Sequence, residues 1–259
     1  MTTNAHNSAP PALVPEGDAI FLDFDGTLVD IAPRPDAVHV PEGLADLLME
    51  LHAMCGGALA LVSGRAMAEL TAFLPQFDGP LIGSHGAESR GLDLPGQGED
   101  AAADEADLAA LHARFAAFAE AHDLLAEAKP HGAAIHFRAR PEAEPIARAF
   151  AEEMLRLCPR LRLQPAKMAF ELRPEGATKD AALRQVAKAA PFAGRRPVYL
   201  GDDTTDEPAL IWAQAGGGLG VKVGEGDSAA RWRLEGPGAV RAWLAAAIEP
   251  EREGYSWAG

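Results

Sequence analysis

Asp23 and Asp25, in the segment Asp23-Phe24-Asp25-Gly26-Thr27-Leu28, are the residues whose type and spacing most directly suggest chemistry. They follow the apolar run Ala19-Ile20-Phe21-Leu22, which reads as a short buried strand closed by an Asp-Gly turn signal. Strand side chains alternate, so both carboxylates project from one face at the strand's C-terminal edge. In open parallel sheets that edge is where ligands bind. At an effective dielectric of 20, two such charges about 4 Å apart repel by roughly 4 kcal/mol. A hard cation between them relieves that cost. The competing reading is a plain hairpin, because Asp25-Gly26 is by itself a good two-residue turn.

A second acidic turn, Gly201-Asp202-Asp203-Thr204-Thr205-Asp206-Glu207, follows the strand-like run Pro197-Val198-Tyr199-Leu200 and precedes a helix-like stretch opening at Glu207-Pro208. Alone it reads as a solvated loop. Acidic turns after apolar runs at both ends of one chain point instead to a shared cation site. Carboxylate oxygens at a partly hydrated site suit Mg²⁺ better than Zn²⁺, which prefers His and Cys. Positive partners come from two further segments. Leu59-Ala60-Leu61-Val62 leads into Ser63-Gly64-Arg65 and an amphipathic stretch from Ala66 to Leu74. A hydroxyl with free backbone N–H groups at such a junction cradles phosphate, or merely caps the helix. Thr178-Lys179-Asp180 opens a helix over Ala181 to Ala190. A lysine at a helix N-terminus costs roughly a few tenths of a kcal/mol unless an anion sits beside it.

In this order the four segments resemble the haloacid dehalogenase superfamily of phosphotransferases, whose signature is carried here by Asp23 to Leu28, Ser63, Lys179 and Gly201 to Asp206. More narrowly they resemble its trehalose-6-phosphate phosphatase family. That likeness rests on Gly201 to Glu207, on Gly83-Ser84-His85-Gly86-Ala87-Glu88, on Lys129 through His136-Phe137-Arg138, and on Lys167-Met168-Ala169-Phe170-Glu171-Leu172-Arg173-Pro174. The match spans about Asp18 to Leu244. Asp180 departs from it, standing where the family usually has Gly. The resemblance implies hydrolysis of trehalose 6-phosphate to trehalose and phosphate, the last step of trehalose biosynthesis, through an aspartyl-phosphate. It implies Asp23 as nucleophile and Asp25 as acid, then base, with Mg²⁺ held by Asp23, the Asp25 backbone carbonyl and Asp202. Thr27, Ser63 and Lys179 would hold the phosphoryl oxygens, while Asp203 and Asp206 orient waters and Lys179. Glu127, Lys129, Arg138, Lys167 and Glu171 would contact the sugar. The alternative for Glu127 and Lys129, two apart and so on one strand face, is a set of ordinary cross-strand ion pairs.

The elements that must position these residues fall into three parts. From Ala19 to Glu88, apolar strand runs alternate with helical patterns at Gly43 to Met54 and Ala66 to Leu74, which predicts a parallel sheet with crossover helices. Arg90 to Glu105 is rich in glycine and acid and reads as a linker. Next come helix-like Leu108 to His122, strand-like Leu124 to Ala128 and Ala133 to Ala139, and helix-like Pro141 to Leu157. With strand-like Arg160 to Gln164 and Met168 to Arg173, they predict an antiparallel sheet under two helices. From Gly176 the alternation resumes, through a strand at Gly218 to Val223 to a last helix at Pro237 to Ile248. The expected fold is α/β: a Rossmann-like parallel-sheet core of the haloacid dehalogenase type, residues 18–95 and 175–259, split by an inserted α+β cap domain over residues 96–174. The resemblance implies that this cap is mobile. Residues 1–17, polar and Pro-containing, read as a disordered start rather than a signal peptide.

The 259 residues suffice for a substantial core. Lys plus Arg number 23 against 38 Asp plus Glu, a net charge of −15, which argues against nucleic acid or an anionic membrane as partner. A phosphate ester therefore needs cations placed locally. Cys55 and Cys158 form no framework and fit a reducing cytoplasm, and no apolar run is long enough for a transmembrane helix. The implied partner is a small-molecule sugar phosphate; the oligomeric state is left open. Gly224-Glu225-Gly226-Asp227-Ser228-Ala229 fits a dinucleotide fingerprint, but too little chain follows for half a Rossmann domain, and an ordinary turn is the better reading. His136 reads as structural or sugar-contacting, and His85 as an organiser of its loop. Three functions stay open: the family phosphatase, a phosphatase of another sugar phosphate (of sucrose or mannosylglycerate type), and a non-catalytic sugar-phosphate sensor. The acidic-turn form and the cap segments disfavour the second. A sensor has no need of both Asp23 and Asp25.

Overall fold

The computed structural model describes residues 8–92 and 105–248. Strand β1 (Asp18–Leu22) is buried along its whole length, followed by helix α1 (Leu44–Met54), which buries Leu44, Leu48 and Leu51 at helical spacing. β2 (Leu59–Val62) is likewise fully buried. Both strands read as continuous apolar runs because a parallel strand covered on both faces has no solvent side. After α2 (Met67–Phe73) and β3 (Leu81–Gly83), a short β4 (Glu88–Arg90) turns back antiparallel to β3. The chain then leaves this sheet through α3 (Glu105–His122), β5 (Leu125–Lys129), β6 (Gly132–His136), α4 (Glu144–Leu157), β7 (Leu161–Ala166) and β8 (Ala169–Pro174). It returns through α5 (Lys179–Val186), β9 (Arg196–Gly201), α6 (Glu207–Ala215), β10 (Leu219–Val223), β11 (Trp232–Leu234) and α7 (Pro237–Ala245).

Two sheets result. The larger runs β11-β10-β9-β1-β2-β3-β4 and the smaller, antiparallel throughout, runs β5-β6-β8-β7. Each has its own apolar core. Phe21, Leu48, Phe192 and Leu200 belong to one, and Phe115, Ile135, Met154 and Phe170 to the other. Helix α3 packs on β5 and β6, and α4 on β7 and β8. From β1 the strand order proceeds one way through β2 and β3 and the other way through β9 and β10. The switch falls between β1 and β9, where a crevice opens at the C-terminal edge. Both acidic turns leave the sheet there.

The sequence reading does not anticipate β4 and β11. Each is three residues long and half-buried, with charged residues among the three, so neither carries the apolar signal of the central strands. Residues 8–17, within the segment expected to be a disordered start, are placed on the body of the protein. Leu13 is buried, the Val14 amide donates to Asp18 at 2.7 Å, and Ser8 bridges to Trp232. Most of the expected linker, residues 93–104, lies outside the described residues. Gly224 and Gly226 turn with φ of +72° and +96° into β11 rather than into a helix, as an ordinary turn does. Among the described residues no helix is long and apolar enough to cross a membrane, and both cysteines are free.

Candidate active site

The parallel register pairs Leu22 with Leu200, so Asp23 emerges beside Gly201 and the two acidic turns run side by side. The Asp23 amide donates to the Leu200 carbonyl at 3.0 Å. Gly26 turns with φ +75°, and a Cβ there would lie 2.2 Å from Asp202 Oδ2, so only glycine lets the turns meet. Asp23, Asp202 and Asp206 each bring a carboxylate oxygen within 4.8 Å of the others. Lys179, the first residue of α5, places Nζ 2.6 Å from Asp23 Oδ1 and 2.7 Å from Asp206 Oδ1. The lysine at a helix N-terminus has its anions. Asp180 sits in the first turn of α5, where an acid is favourable, and meets Arg184 at 3.5 Å. Its departure from the family pattern leaves the helix start intact, with Thr178 capping the Ala181 amide at 3.3 Å.

Charge in this centre is unbalanced. Burial raises Asp23 well above the usual carboxylate range against the pull of Lys179, and Asp206 and Asp202 add to the rise. Asp206 is held low despite its burial by Lys179 and by the Tyr199 hydroxyl at 2.6 Å. Burial, then Asp206, push Asp202 up to about 6. Among the three carboxylates, Asp23 and Asp206 share the Lys179 ammonium, while Asp202 has Lys222 only at its backbone carbonyl. Lys167 Nζ stands only at the rim, 4.0 Å from Asp202. An all-oxygen cluster with this excess of negative charge fits a hard divalent cation. Asp206, expected only to orient its neighbours, lies in the cluster, whereas the side chain of Asp25 does not.

Asp25 faces the cleft in the grip of Arg65. Arg65 Nε donates to Oδ2 at 2.6 Å and Nη2 to Oδ1 at 2.8 Å, a bidentate fork. Arg65 is itself oriented by Glu69 at 3.2 Å and by the Phe73 ring, whose centroid lies 4.9 Å away. Ser63 lines the cleft and its Oγ accepts from the Arg65 amide at 3.1 Å. Thr27 lies beneath the cleft, fully buried, with its hydroxyl donating to Asp23 Oδ2 at 3.3 Å. Asp203 caps the turn that follows it, accepting from the Thr204 amide at 2.8 Å.

The smaller sheet supplies the roof. Register aligns Glu127, Ala134 and Glu171 across β5, β6 and β8. Alternation puts Lys129 and His136 on the same face. The opposite face, with Ala133, Ile135, Phe170 and Leu172, is the one packed in that sheet's apolar core. Charges alternate along the roof: Lys129 Nζ is 3.2 Å from Glu127 and 3.8 Å from Glu171, and His136 Nε2 is 2.7 Å from Glu127. Burial raises Glu127, but His136 and Lys129 bring it down to about 2. Lys129 reaches across to the Gly64 carbonyl at 3.1 Å, and Arg138 to the Ala32 carbonyl at 3.0 Å. Glu127, Lys129, Arg138, Lys167 and Glu171 line one cleft with Asp23, Asp25, Ser63, Lys179 and Asp202.

Sequence reasoning gives no role to Arg65, Tyr199 or Lys222. Lys222, buried in β10, donates from Nζ to the carbonyls of Asp202 at 2.6 Å and Val223 at 2.7 Å. The available signal is a lysine inside an otherwise apolar strand.

This two-sheet fold is shared with solved haloacid dehalogenase-like hydrolases. One from Bacteroides thetaiotaomicron superposes with a TM-score of 0.57 at 16% identity, covering 88% of this chain and 98% of that one. The chain belongs to the trehalose-phosphatase family, whose profile matches residues 21–237. It is 39% identical over 245 residues to the trehalose-6-phosphate phosphatase of Escherichia coli K12, covering 91% of this chain and 89% of that protein. A probable trehalose-phosphate phosphatase of Sinorhizobium fredii NGR234 is 39% identical over 208 residues, 80% of this chain and 77% of the relative. The C-terminal domain of the Candida albicans trehalose-6-phosphate phosphatase shares the fold, with a TM-score of 0.74 at 20% identity over 93% of this chain and 99% of that one.

Proposed function

We propose that the protein hydrolyses trehalose 6-phosphate to trehalose and phosphate, with Asp23 as nucleophile. One observation carries this reading: a carboxylate–lysine centre and a sheet face bearing Glu127, Lys129 and Glu171 line the same cleft. Membership of the family supports the substrate. Phosphate monoesters are among the slowest bonds to hydrolyse, and a covalent intermediate divides the barrier. Asp23 attacks phosphorus in line, the bond from phosphorus to the sugar oxygen breaks, and Asp25 gives that oxygen its proton. Asp25, now a carboxylate, then takes a proton from the water whose oxygen attacks the aspartyl-phosphate. The bond from phosphorus to Asp23 breaks and phosphate leaves. Arg65 holds Asp25 by both oxygens, and gives up one of those bonds when Asp25 carries the proton. Lys179 and Ser63 hold phosphoryl oxygens, Thr27 keeps Asp23 aimed, and Asp203 with Asp206 orients the turn and Lys179. Asp23, the Asp25 carbonyl and Asp202, with Asp206 beside them, would hold Mg²⁺, which would supply the positive charge that lets a carboxylate approach a phosphate dianion. Residues 105–174, the described part of the expected cap, cover the core in this reading, and the two free cysteines suit a reducing cytoplasm.

Phosphate release from a panel of sugar phosphates tests the substrate. Trehalose 6-phosphate should be preferred over sucrose and mannosylglycerate phosphates, and preference for either of these would overturn the assignment. Within the same reading, Glu171→Ala or Lys129→Ala should cut kcat/KM for trehalose 6-phosphate at least tenfold, about 1.4 kcal/mol, while p-nitrophenyl phosphate hydrolysis changes little. Equal loss on both substrates in a folded variant means that these residues close the cleft rather than read the sugar.

Chelation by EDTA should silence the enzyme and Mg²⁺ restore it; undiminished turnover in a metal-stripped sample contradicts the reading. The affinity for Mg²⁺ should depend on pH. Asp202 is pushed up to about 6, above its unfolded value of 3.8. Its contribution to metal-free stability is therefore present below that unfolded value and lost as pH rises through about 6. The cation needs the ionised form, so calorimetric titration should give tighter binding at pH 7 than at pH 5.

A further inference from the structure

The turn Gly83 to Glu88 takes no part in the reaction derived above, yet it is held in an unfavourable shape. Ser84 and His85 have φ of +47° and +58°, a region that side-chain-bearing residues keep only where their surroundings enforce it. Here the surroundings do. Glu88 Oε2 accepts from the Ser84 hydroxyl at 2.7 Å and the Met67 amide at 3.0 Å. The Ser84 amide donates to the Arg65 carbonyl at 2.7 Å and the His85 amide to the Ser63 carbonyl at 2.9 Å. What the turn presents is one imidazole, 7% exposed. A Cβ at Gly64 would lie 2.5 Å from His85 Nε2, so the loop after β2 leaves room for the ring. From the core the ring reaches the smaller sheet, where Nε2 is 3.2 Å from Glu171 Oε2. Its other nitrogen, Nδ1, is buried with no hydrogen-bond partner among the described residues.

The chemistry of the pair fixes which atom carries the proton. Burial raises Glu171, but Lys129 and then His85 bring it down to about 2, so its oxygens only accept. Burial lowers His85, with Glu171 opposing, so the ring is neutral at pH 7. The proton of a neutral ring facing a carboxylate sits on the facing nitrogen, Nε2, which donates to Glu171. Glu171 Oε1 lies toward Lys129 Nζ, 3.8 Å away. The two carboxylate oxygens are thus steered by different parts of the fold, one by its own sheet and one by the core.

We propose that His85 is a positioning residue for sugar recognition, reaching from the core to hold the Glu171 carboxylate in the orientation that accepts a sugar hydroxyl. Substrate discrimination is then set by the core as well as by the roof. This rests on the reading of Glu171 as sugar-facing.

A double-mutant cycle on kcat/KM tests it. The substrate is whichever sugar phosphate the unmodified enzyme hydrolyses best, so a wrong substrate assignment shows in that first panel and not in the cycle. His85→Ala should lower kcat/KM roughly tenfold, mostly through KM. In the Glu171→Ala background the same substitution should cost less than about twofold. His85→Gln, which keeps an N–H donor within reach of Glu171, should recover a large part of the loss. Equal losses in both backgrounds, no loss in His85→Ala, a loss confined to kcat, or no recovery in His85→Gln each overturns the proposal. Circular dichroism accompanies every variant. If His85→Ala does not fold, His85→Asn takes its place in the cycle with the same expected outcomes.

Discussion

Asp23→Asn is expected to fold normally and to turn over nothing. The substitution keeps the shape of the side chain and removes the nucleophilic oxygen charge. With no nucleophile, no aspartyl-phosphate forms, and the loss should be on the order of 10⁴-fold or more, the scale seen when a covalent catalyst is removed. The loss should be equally complete for trehalose 6-phosphate and p-nitrophenyl phosphate, because attack on phosphorus does not depend on the sugar. Stability should move the other way. Burial and the neighbouring Asp206 and Asp202 disfavour ionised Asp23, so a neutral amide relieves repulsion in metal-free protein. Thermal melting in EDTA should show a midpoint no lower than that of the unmodified chain. Acid-quench trapping of the phosphoenzyme with labelled substrate separates this mechanism from direct attack by water. Near-normal turnover, or trapped phosphoenzyme, in Asp23→Asn would exclude Asp23 as the nucleophile.

What the sequence made legible, and what it did not, follows a physical division. Parallel strands buried on both faces announce themselves as unbroken apolar runs, so β1, β2, β9 and β10 were readable, and with them the edge that Asp23 and Asp202 must share. The helices and strands of the smaller sheet were readable from one-sided burial instead, because its antiparallel strands pack one face against α3 and α4. Which partner a side chain chooses at that edge was not. The Arg65 fork joins Asp25 across 40 residues, and nothing local in Ser63-Gly64-Arg65 points to it. Thr27 is fully buried and gives its hydroxyl to Asp23 at 3.3 Å. His136 pairs with Glu127 at 2.7 Å, a contact made by hairpin register. His85, read as organising its own loop, extends to another sheet. Such choices are settled by register and burial, which emerge only when distant segments pack. Asp180 is the reverse case, since ordinary helix-start electrostatics explain it without any long-range contact.

Lys179→Met carries the second large effect, on stability and activity together. The ammonium is buried and donates to Asp23 at 2.6 Å and Asp206 at 2.7 Å. Against burial, which lowers it, the two carboxylates raise Lys179 above the ordinary lysine range. Removing one partner of a buried ionic set leaves uncompensated charge, at a cost of about 3–5 kcal/mol, and methionine fills the space without replacing the charge. The cost should depend on pH. Without the lysine, Asp23 and Asp206 are favoured protonated, so their folded values rise above their unfolded ones. Stability that such groups contribute is present at low pH and lost as pH rises. The gap between variant and unmodified protein, measured by urea unfolding in EDTA, should therefore shrink from pH 7 to pH 5. Asp206→Asn added to Lys179→Met removes one of the orphaned charges and should return part of the stability. It should not return turnover, because the ammonium that meets Asp23, and that the proposed mechanism sets against the phosphoryl group, is still missing. Lys179→Arg should also fail, since a planar fork does not replace a compact point charge between two oxygens. Activity recovered in the double variant would show that Lys179 serves the fold alone.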